Sequence, residues 1–516
     1  MSSGDPSFAL SESTTNASAA SIADTASATR RKRATGAPSP TRPTATPQPK
    51  PKANGHQDFR ATIARLRDEV AERYRPQLAD GAAPIRVMAR MVMDLKETCR
   101  ELGIPDDVIA TEIVNRTIGD VDLRGVSPSD DGPEFVSLAD DMGLALPGEV
   151  IGGRVSTGET YRWIRETMLD FERELLARHW DLRMYDVVGI GNPILREMLA
   201  DFAQRHWGYT LPASQIHVSL GALDGLDKFF RGYCAALRGQ GITEMAVIFP
   251  APCFNVPEWQ ARSLGYRIHR LYTRPEDHFK VTPPMLRQAL DEAGDIRAIY
   301  LTVSNNPTAF AYSPAELRAL FDVLGEYPGR EVLLVADLAY IGTGDPDEDR
   351  ARMAEFARPG VLERTVFVSS FSKTHTLTGD RCGWVGFGDP ALAARVIPGW
   401  INTVASLPAD WQLRYMADLR LFAEQPELQE RIRALYRHRR TRLIAQLQKL
   451  NAEHHVFAQV NLDDDSTVYN WSQLNPGEDV FTLFSKTGIA GVPGGAFGYS
   501  DDFVRLSVGC IPIPAM

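Results

Sequence analysis

A lysine and an arginine that share one loop, Lys373 and Arg381, have the clearest chemical potential in this sequence of 516 residues. Residues 366–368 form an apolar run that predicts a buried strand, so the Lys373 amine is expected just beyond its end, where ligands collect in open α/β sheets. A partly desolvated lysine beside another cation can act as an amine nucleophile. An arginine can bind a phosphate through two parallel hydrogen bonds. Together they indicate pyridoxal 5'-phosphate (PLP), and an ordinary loop that contains both side chains is the alternative.

The composition narrows the class of protein and its partners. The formal net charge is -10 at pH 7, and such an acidic balance argues against nucleic acid or an anionic membrane as the main partner. No uninterrupted apolar run approaches the roughly 18 to 20 residues of a membrane-spanning helix. The five cysteines are odd in number and include no CxxC pair, which disfavours a disulfide framework or a metal site and predicts a cytoplasmic protein.

The first 120 residues divide into a tail and a helical region. Residues 1–55 are rich in Ser, Thr, Ala and Pro and predict a disordered tail, whose basic cluster at residues 30–33 is either a weak targeting element or a solvated run. Apolar residues then recur at three- and four-residue steps, so residues 56–120 predict an extra N-terminal helical region that serves packing. A DNA-binding helix-turn-helix is the alternative, but the region lacks a basic recognition face.

Strand and helix patterns alternate through most of the remaining chain. Residues 121–184 are loop-rich and then helical, and predict a segment that contributes to a small domain. Apolar runs then predict strands at 216–220, 245–249, 298–303, 332–336 and 366–368. Apolar strands that alternate with helices form parallel sheets covered on both faces, so residues 185–400 predict a large α/β domain. A long helical pattern followed by short strands predicts a smaller α+β domain over residues 401–516.

Polar groups follow two of these predicted strands. Gly221 precedes a helix start at Ala222 and Leu223, whose free backbone N–H groups would favour a phosphate, although an ordinary strand-to-helix turn has the same pattern. Asn306 stands before a proline at the end of another strand. Its amide could donate to a ring oxygen, or it could satisfy itself within an Asn-Pro turn.

Two charged residues occupy predicted strand positions. Asp337 ends a buried strand, where a carboxylate needs a partner to offset desolvation. A protonated pyridine nitrogen would be such a partner, and a helix-capping aspartate is the alternative. Arg505 lies on one face of an alternating strand pattern and is either a bidentate clamp for a substrate carboxylate or an exposed strand arginine.

Together these stretches resemble the class I/II aminotransferases, the aspartate-aminotransferase-like family of fold type I PLP enzymes. The most specific part is the pattern SxSK at residues 370–373 with RxG at residues 381–383, and the resemblance covers roughly residues 135–516. It implies a fold type I PLP-dependent transferase, with a large domain built on a mainly parallel sheet and a smaller α+β domain. It also implies PLP as cofactor, an α-amino acid as substrate and a homodimer with shared active sites.

The resemblance also implies which residues do the chemistry. Lys373 would form a Schiff base with PLP and then shuttle the α-proton of the substrate. Asp337 would pair with the pyridine nitrogen, and Asn306 and Tyr340 would contact the 3-hydroxyl oxygen of the ring. Arg505, with Asn306 nearby, would hold the substrate's α-carboxylate.

The remaining implied roles concern the phosphate and the cofactor ring. Four residues would hold the phosphate within one chain: Ser370, Arg381, Ala222 and Leu223. Phe254 would stack on the ring, and Tyr185 would reach the phosphate of the partner subunit. The sequence departs from the family pattern at Ala309, where a glycine is usual, at Leu223, where a polar residue is common, and around Tyr185, where the segment is about one residue longer.

The implied reaction is transamination of an α-amino acid. The same residues would also serve a specialised PLP enzyme that carries out β- or γ-elimination, replacement or ring formation, for example on S-adenosylmethionine. A PLP-binding regulator with a DNA-binding domain is a third reading, which the absent basic recognition helix disfavours. The sequence alone does not name the substrate's side chain.

Overall fold

Helices form the first described part of the chain. The computed structural model describes residues 53–79, 83–124, 126, 128, 131–462 and 468–509. Residues 1–52, which include most of the predicted tail and its basic cluster, therefore lie outside the described residues. The first elements are α1 (Ala53–Ala79), α2 (Pro84–Glu101), α3 (Asp106–Glu112) and the short strand β1 (Val114–Asn115). Apolar residues of α2 three and four positions apart are buried, among them Met88, Met91 and Leu95. Residues 56–120 therefore begin as packing helices and end as extended chain.

A mostly helical region connects β1 to the central sheet. It contains α4 (Leu138–Asp141), β2 (Val150–Ile151), β3 (Arg154–Val155), α5 (Glu159–Ala177) and α6 (Pro193–Trp207). The Asn192 side chain accepts a hydrogen bond from the Leu195 N–H at 2.9 Å and so caps the start of α6. Gly208, with φ of 81°, ends the same helix.

The central sheet confirms the predicted α/β fold class. Its strands are β4 (Ile216–Leu220), β5 (Ala246–Ala251), β6 (Arg267–Tyr272), β7 (Ile296–Thr302), β8 (Leu333–Asp337), β9 (Thr365–Ser370) and β10 (Cys382–Phe387), in the spatial order β4-β10-β9-β8-β7-β5-β6. Neighbours from β9 to β6 pair in parallel, and β10 is antiparallel to both β4 and β9. Alternate residues of β5 enter different apolar clusters, Ile248 in one and Phe249 in the other, because both faces of the sheet are covered.

Helices cover this sheet and connect its strands. They are α7 (Ala222–Gly239), α8 (Val256–Ser263), α9 (Pro283–Glu292), α10 (Pro314–Gly325), α11 (Pro346–Phe356), α12 (Phe371–Thr374), α13 (Pro390–Val396) and α14 (Pro398–Ile401). Two of them start directly after a strand, α7 after β4 and α12 after β9. Their first residues therefore lie at the strand ends where the sequence analysis expects ligand contacts.

The C-terminal part forms a second, antiparallel sheet beside two long helices. Its elements are α15 (Ala409–Glu424), α16 (Glu427–His454), β11 (Phe457–Gln459), β12 (Tyr469–Leu474), α17 (Val480–Thr487), β13 (Ile489–Ala490), β14 (Val492–Pro493) and β15 (Phe503–Ser507). The sheet order is β11-β12-β15-β14, and β1 pairs in parallel with β13. The described residues belong to one compact unit, so the boundaries predicted at residues 121, 185 and 401 remain predictions. Among the described helices, none combines the length and the apolar character that crossing a membrane requires.

Candidate active site

A cavity of about 400 Å³ lies at the ends of β7, β8 and β9, next to the C-terminal sheet. It is lined by ten of the residues that the sequence analysis singled out: Ala222, Leu223, Phe254, Asn306, Asp337, Tyr340, Ser370, Lys373, Arg381 and Arg505. Tyr185 is not among the lining residues. The structure therefore brings together, in one place, residues that are spread over almost three hundred positions of the chain.

Lys373 reaches the cavity from the single-turn helix α12. Its Nζ donates a hydrogen bond to the backbone carbonyl oxygen of Gly119, a residue of the extended segment after β1. The Tyr436 hydroxyl donates to the Lys373 carbonyl oxygen at 2.6 Å and so anchors the backbone of α12 against α16. The lysine thus has a fixed backbone, and its amine is held by one neutral acceptor.

A cation and a helix N-terminus meet at another end of the cavity. Arg381 has a left-handed backbone with φ of 58°, and its Nη1 donates to the Thr378 carbonyl oxygen at 2.9 Å. Its guanidinium lies against Gly221, which has φ of 83° and immediately precedes α7. The first N–H groups of α7, at Ala222 and Leu223, have no acceptor within the helix, and the helix dipole favours an anion there. This end of the cavity suits a phosphate.

Gly221→Ala is expected to weaken PLP binding about tenfold or more, because the added Cβ would overlap the Arg381 Nη2 and the residue must keep a positive φ. A titration of the apoprotein with PLP, followed by absorbance, would measure the dissociation constant. Gly239→Ala is the matched control, since a Cβ at the far end of the same helix meets open space. Equal affinities for both variants would show that Arg381 and Gly221 do not form the phosphate site.

Asp337 is a buried carboxylate with one hydrogen-bond donor on each oxygen. The Tyr300 hydroxyl donates to Oδ2 at 2.5 Å, and the Ala339 N–H donates to Oδ1 at 3.0 Å. Burial raises the pKa of Asp337 above its ordinary value, and the two donors partly oppose that rise. A cationic partner in the cavity would stabilise the charged form of this carboxylate, because the attraction between the two charges offsets the cost of desolvation.

A chain of hydrogen bonds connects Arg505 to two tyrosines. Arg505 Nη1 donates to Asn306 Oδ1 at 3.0 Å, and Asn306 Nδ2 donates to the Tyr340 hydroxyl at 3.2 Å. The Tyr340 hydroxyl in turn donates to the Tyr469 hydroxyl at 3.1 Å. The Arg505 guanidinium carbon lies 4.3 Å from the centre of the Tyr469 ring, so the ring faces the cation. The buried Arg505 Nε has no hydrogen-bond partner among the described residues, which leaves a donor for an anionic ligand.

Part of the cavity wall consists of residues that no sequence pattern predicted. Residues 117–120 and Ile85 line the cavity from the N-terminal region, and Tyr469 lines it from β12. The Thr117 carbonyl oxygen accepts from Arg505 Nη2 at 2.6 Å. The end of the helical periodicity before Gly119 could have indicated extended chain, but its approach to Lys373 depends on the pairing of β1 with the distant strand β13.

The segment around Tyr185 lies on the surface. Tyr185 is 84% exposed and Val187 is 88% exposed, next to exposed Met184. The Asp186 N–H donates to the Ser406 hydroxyl at 2.7 Å, so this segment packs beside the residues after α14. Whether Tyr185 contacts a partner subunit stays a prediction.

The residues present fit PLP. The Lys373 amine suits the aldehyde, the buried Asp337 suits a protonated ring nitrogen, and Arg381 with the α7 N-terminus suits the phosphate. When bound, PLP supplies an aldehyde for an amino group and a ring that withdraws electrons from the substrate's α carbon.

Comparisons with known proteins agree with this chemistry. The sequence model of the family described as "Aminotransferase class I and II" matches residues 188–512. An aspartate aminotransferase from Bacillus subtilis is 25% identical over 320 residues, which cover 61% of this chain and 76% of the relative. An LL-diaminopimelate aminotransferase from Maridesulfovibrio salexigens is 26% identical over 326 residues, or 62% of this chain and 78% of the relative. The solved aspartate aminotransferase from Thermus thermophilus with maleate shares the fold, with a TM-score of 0.58 and 20% identity over 83% of this chain and 92% of that one.

Proposed function

The chain belongs to the class I and II aminotransferase family and is a PLP-dependent aminotransferase, and we propose that the cavity around Lys373 is its active site. The observation that carries the proposal is that one cavity collects an amine, a buried carboxylate and two guanidinium groups, from Lys373, Asp337, Arg381 and Arg505. These are the charges that a phosphorylated pyridine aldehyde and an amino acid carboxylate require.

Individual residues take the following proposed roles toward the cofactor. The phosphate is held by Ser370, Arg381 and the first backbone N–H groups of α7, at Ala222 and Leu223. The Asp337 carboxylate would accept a hydrogen bond from the protonated pyridine nitrogen, and its negative charge would keep that nitrogen cationic. Asn306 and Tyr340, which already contact each other, hold the 3-hydroxyl oxygen, and Phe254 covers the ring face.

Arg505 and Lys373 act on the amino acid itself. Arg505 orients the α-carboxylate, for which its Nε is available and its Nη1 is fixed by Asn306. The Lys373 amine accepts the α-proton with its lone pair and returns it, and the Gly119 carbonyl accepts a hydrogen bond from the same nitrogen. Residues 117–120 form the cavity wall on the side of the Lys373 amine.

Transfer of a labelled amino group tests this function. The holoenzyme would be incubated with single ¹⁵N-labelled amino acids and 2-oxoglutarate or pyruvate, and the products analysed by mass spectrometry. Transamination predicts label in the new amino acid and an equal amount of the donor's keto acid. Loss of a β or γ substituent, or a cyclic product from S-adenosylmethionine, without labelled amino acid would contradict transamination and support the alternative reaction class.

We also propose a homodimer with shared active sites. The support for a dimer is a patch of exposed apolar side chains on the surface. It consists of Met184, Tyr185, Val187 and Val188 with the neighbouring Ile401 and Val404. The two parts are adjacent, because a Cβ at Gly189 would contact Ile401. Contiguous apolar surface of this kind is typical of an interface between subunits.

Val187→Asp is expected to weaken dimer formation about a hundredfold or more, because an unpaired carboxylate would be buried in the interface. Sedimentation velocity over a range of concentrations would measure the association. Val155→Asp, at another exposed valine, serves as the control and should leave the association unchanged. A variant at Val187 that associates like the wild type would place the interface elsewhere.

The proposed compartment is the cytoplasm. Its support is that Cys99, Cys234, Cys253 and Cys382 are free thiols in buried positions. Thiols are retained in this form in reducing compartments.

A further inference from the structure

Tyr300 is a fully buried tyrosine behind the Asp337 carboxylate. It lies on β7 two residues before Thr302, which is the register partner of Asp337 on β8. Its hydroxyl donates to Asp337 Oδ2 at 2.5 Å, while Asp337 itself lines the cavity and Tyr300 does not. Tyr300 therefore contacts Asp337 from behind the cavity wall.

Packing alone does not require this hydroxyl. The Tyr300 ring lies 5.1 Å from the Phe249 ring, centre to centre, in an apolar cluster where phenylalanine would fill the same space. A buried hydroxyl costs desolvation unless it is hydrogen-bonded, and the Tyr300 hydroxyl donates to Asp337. By contrast, the buried Tyr233 on α7 stacks on Phe229, and its hydroxyl has no hydrogen-bond partner within the described part of the chain.

We propose that Tyr300 is a positioning residue for the cofactor: its hydroxyl holds Asp337 as an oriented carboxylate and thereby keeps the pyridine nitrogen of PLP protonated. This inference rests on the proposed active site. A neutral donor on Oδ2 stabilises the carboxylate relative to the carboxylic acid, so the proton shared between Asp337 and the ring nitrogen stays on the nitrogen.

The environment keeps Tyr300 in the donating form. Burial raises the pKa of Tyr300 well above its ordinary value, and the nearby negative charge of Asp337 raises it further. The hydroxyl is therefore protonated, and able to donate, at neutral pH. With the Ala339 N–H on Oδ1 and Tyr300 on Oδ2, both oxygens are fixed in direction while the carboxylate still faces the cavity.

Tyr300→Phe removes the donor and keeps the ring, so the packing against Phe249 is retained. The holoenzyme would be prepared with PLP that carries ¹⁵N in its ring, because the ¹⁵N chemical shift reports directly on protonation of that nitrogen. We expect the ring ¹⁵N shift of the variant to move toward the value of an unprotonated nitrogen at neutral pH, because without the Tyr300 donor the shared proton lies more on Asp337. The turnover number is expected to fall about tenfold, with little change in KM for the amino acid.

Tyr233→Phe is the matched control, because it deletes the same atom from another buried tyrosine. It should leave both the ¹⁵N shift and turnover at wild-type values. Circular dichroism and thermal melting of both variants would establish that the fold is intact. A ¹⁵N titration of Tyr300→Phe that matches the wild type would overturn the role of Tyr300 and leave the active site standing. A wild-type nitrogen that is unprotonated at neutral pH would overturn both proposals.

Discussion

Lys373→Ala is expected to lower turnover about ten-thousandfold and to abolish the visible absorbance that PLP acquires when a lysine amine is covalently attached to it. The variant lacks the amine that bonds to the aldehyde and the base that moves the α-proton, and a positioned base alone contributes up to about 10⁴-fold. The fold should remain, because the side chain is only half-buried and its amine makes one hydrogen bond, to the Gly119 carbonyl. Absorbance spectra and the ¹⁵N-transfer assay measure the two effects.

A second lysine provides the control for this prediction. Lys449 is exposed on α16 and does not line the cavity, and Lys449→Ala should behave like the wild type in both measurements. Added methylamine would be expected to restore some proton transfer in Lys373→Ala, since a small amine can enter the space that the side chain leaves. Undiminished turnover in Lys373→Ala would mean that the cavity is not the active site.

Asp337→Asn is expected to lower turnover about a thousandfold, which corresponds to about 4 kcal/mol of transition-state stabilisation. The change keeps the shape of the side chain, with one oxygen for the Ala339 N–H and an amide NH2 that can donate to the Tyr300 hydroxyl, but it removes the charge that holds the pyridine nitrogen in its cationic form. Steady-state kinetics would measure the loss. Asp201→Asn, at an exposed aspartate of α6, is the control. Near-normal rates would mean that Asp337 serves only as the acceptor for the Ala339 N–H.

The same variant has an expected effect of opposite sign on the stability of the apoprotein. Burial raises the folded-state pKa of Asp337, so the native state binds a proton more readily than the unfolded chain does. The free energy of unfolding therefore falls as pH rises from the unfolded-state pKa of about 4 to the raised folded-state pKa. Above the folded-state pKa it falls no further on account of this group. Apoprotein Asp337→Asn should melt above the wild type at neutral pH, with the difference shrinking toward pH 4. Loss of activity together with higher stability would show that the carboxylate is retained for function.

Local patterns in the sequence predicted much of the fold and identified the polar residues at the ends of strands. The run at residues 332–336, which became most of β8, carries no polar residue, and Asp337 stands directly at its end. Strand β10 was not predicted because glycines interrupt its pattern. One of them, Gly383, lies so close to Gly221 that a Cβ would overlap that backbone, so the strand uses glycine for close approach rather than for a turn.

The features of the cavity that were not predicted depend on contacts between distant parts of the chain. The carbonyl groups of Thr117 and Gly119 meet Arg505 and Lys373 only because β1 pairs with β13, and backbone carbonyls carry no residue-type pattern. In the sequence, Tyr300 is one more large residue of a buried strand, and only the structure shows that its hydroxyl contacts Asp337. Neither contact has a local sequence pattern that could predict it.

Mapping the site of covalent PLP attachment tests the central claim most directly. The holoenzyme would be treated with borohydride, which makes the bond between PLP and a lysine amine permanent, then digested and analysed by tandem mass spectrometry. The proposed active site predicts a phosphopyridoxyl group on the peptide that contains Lys373, at close to one per chain. The same group on any other lysine, or an unmodified Lys373 in protein that transfers amino groups, would contradict it.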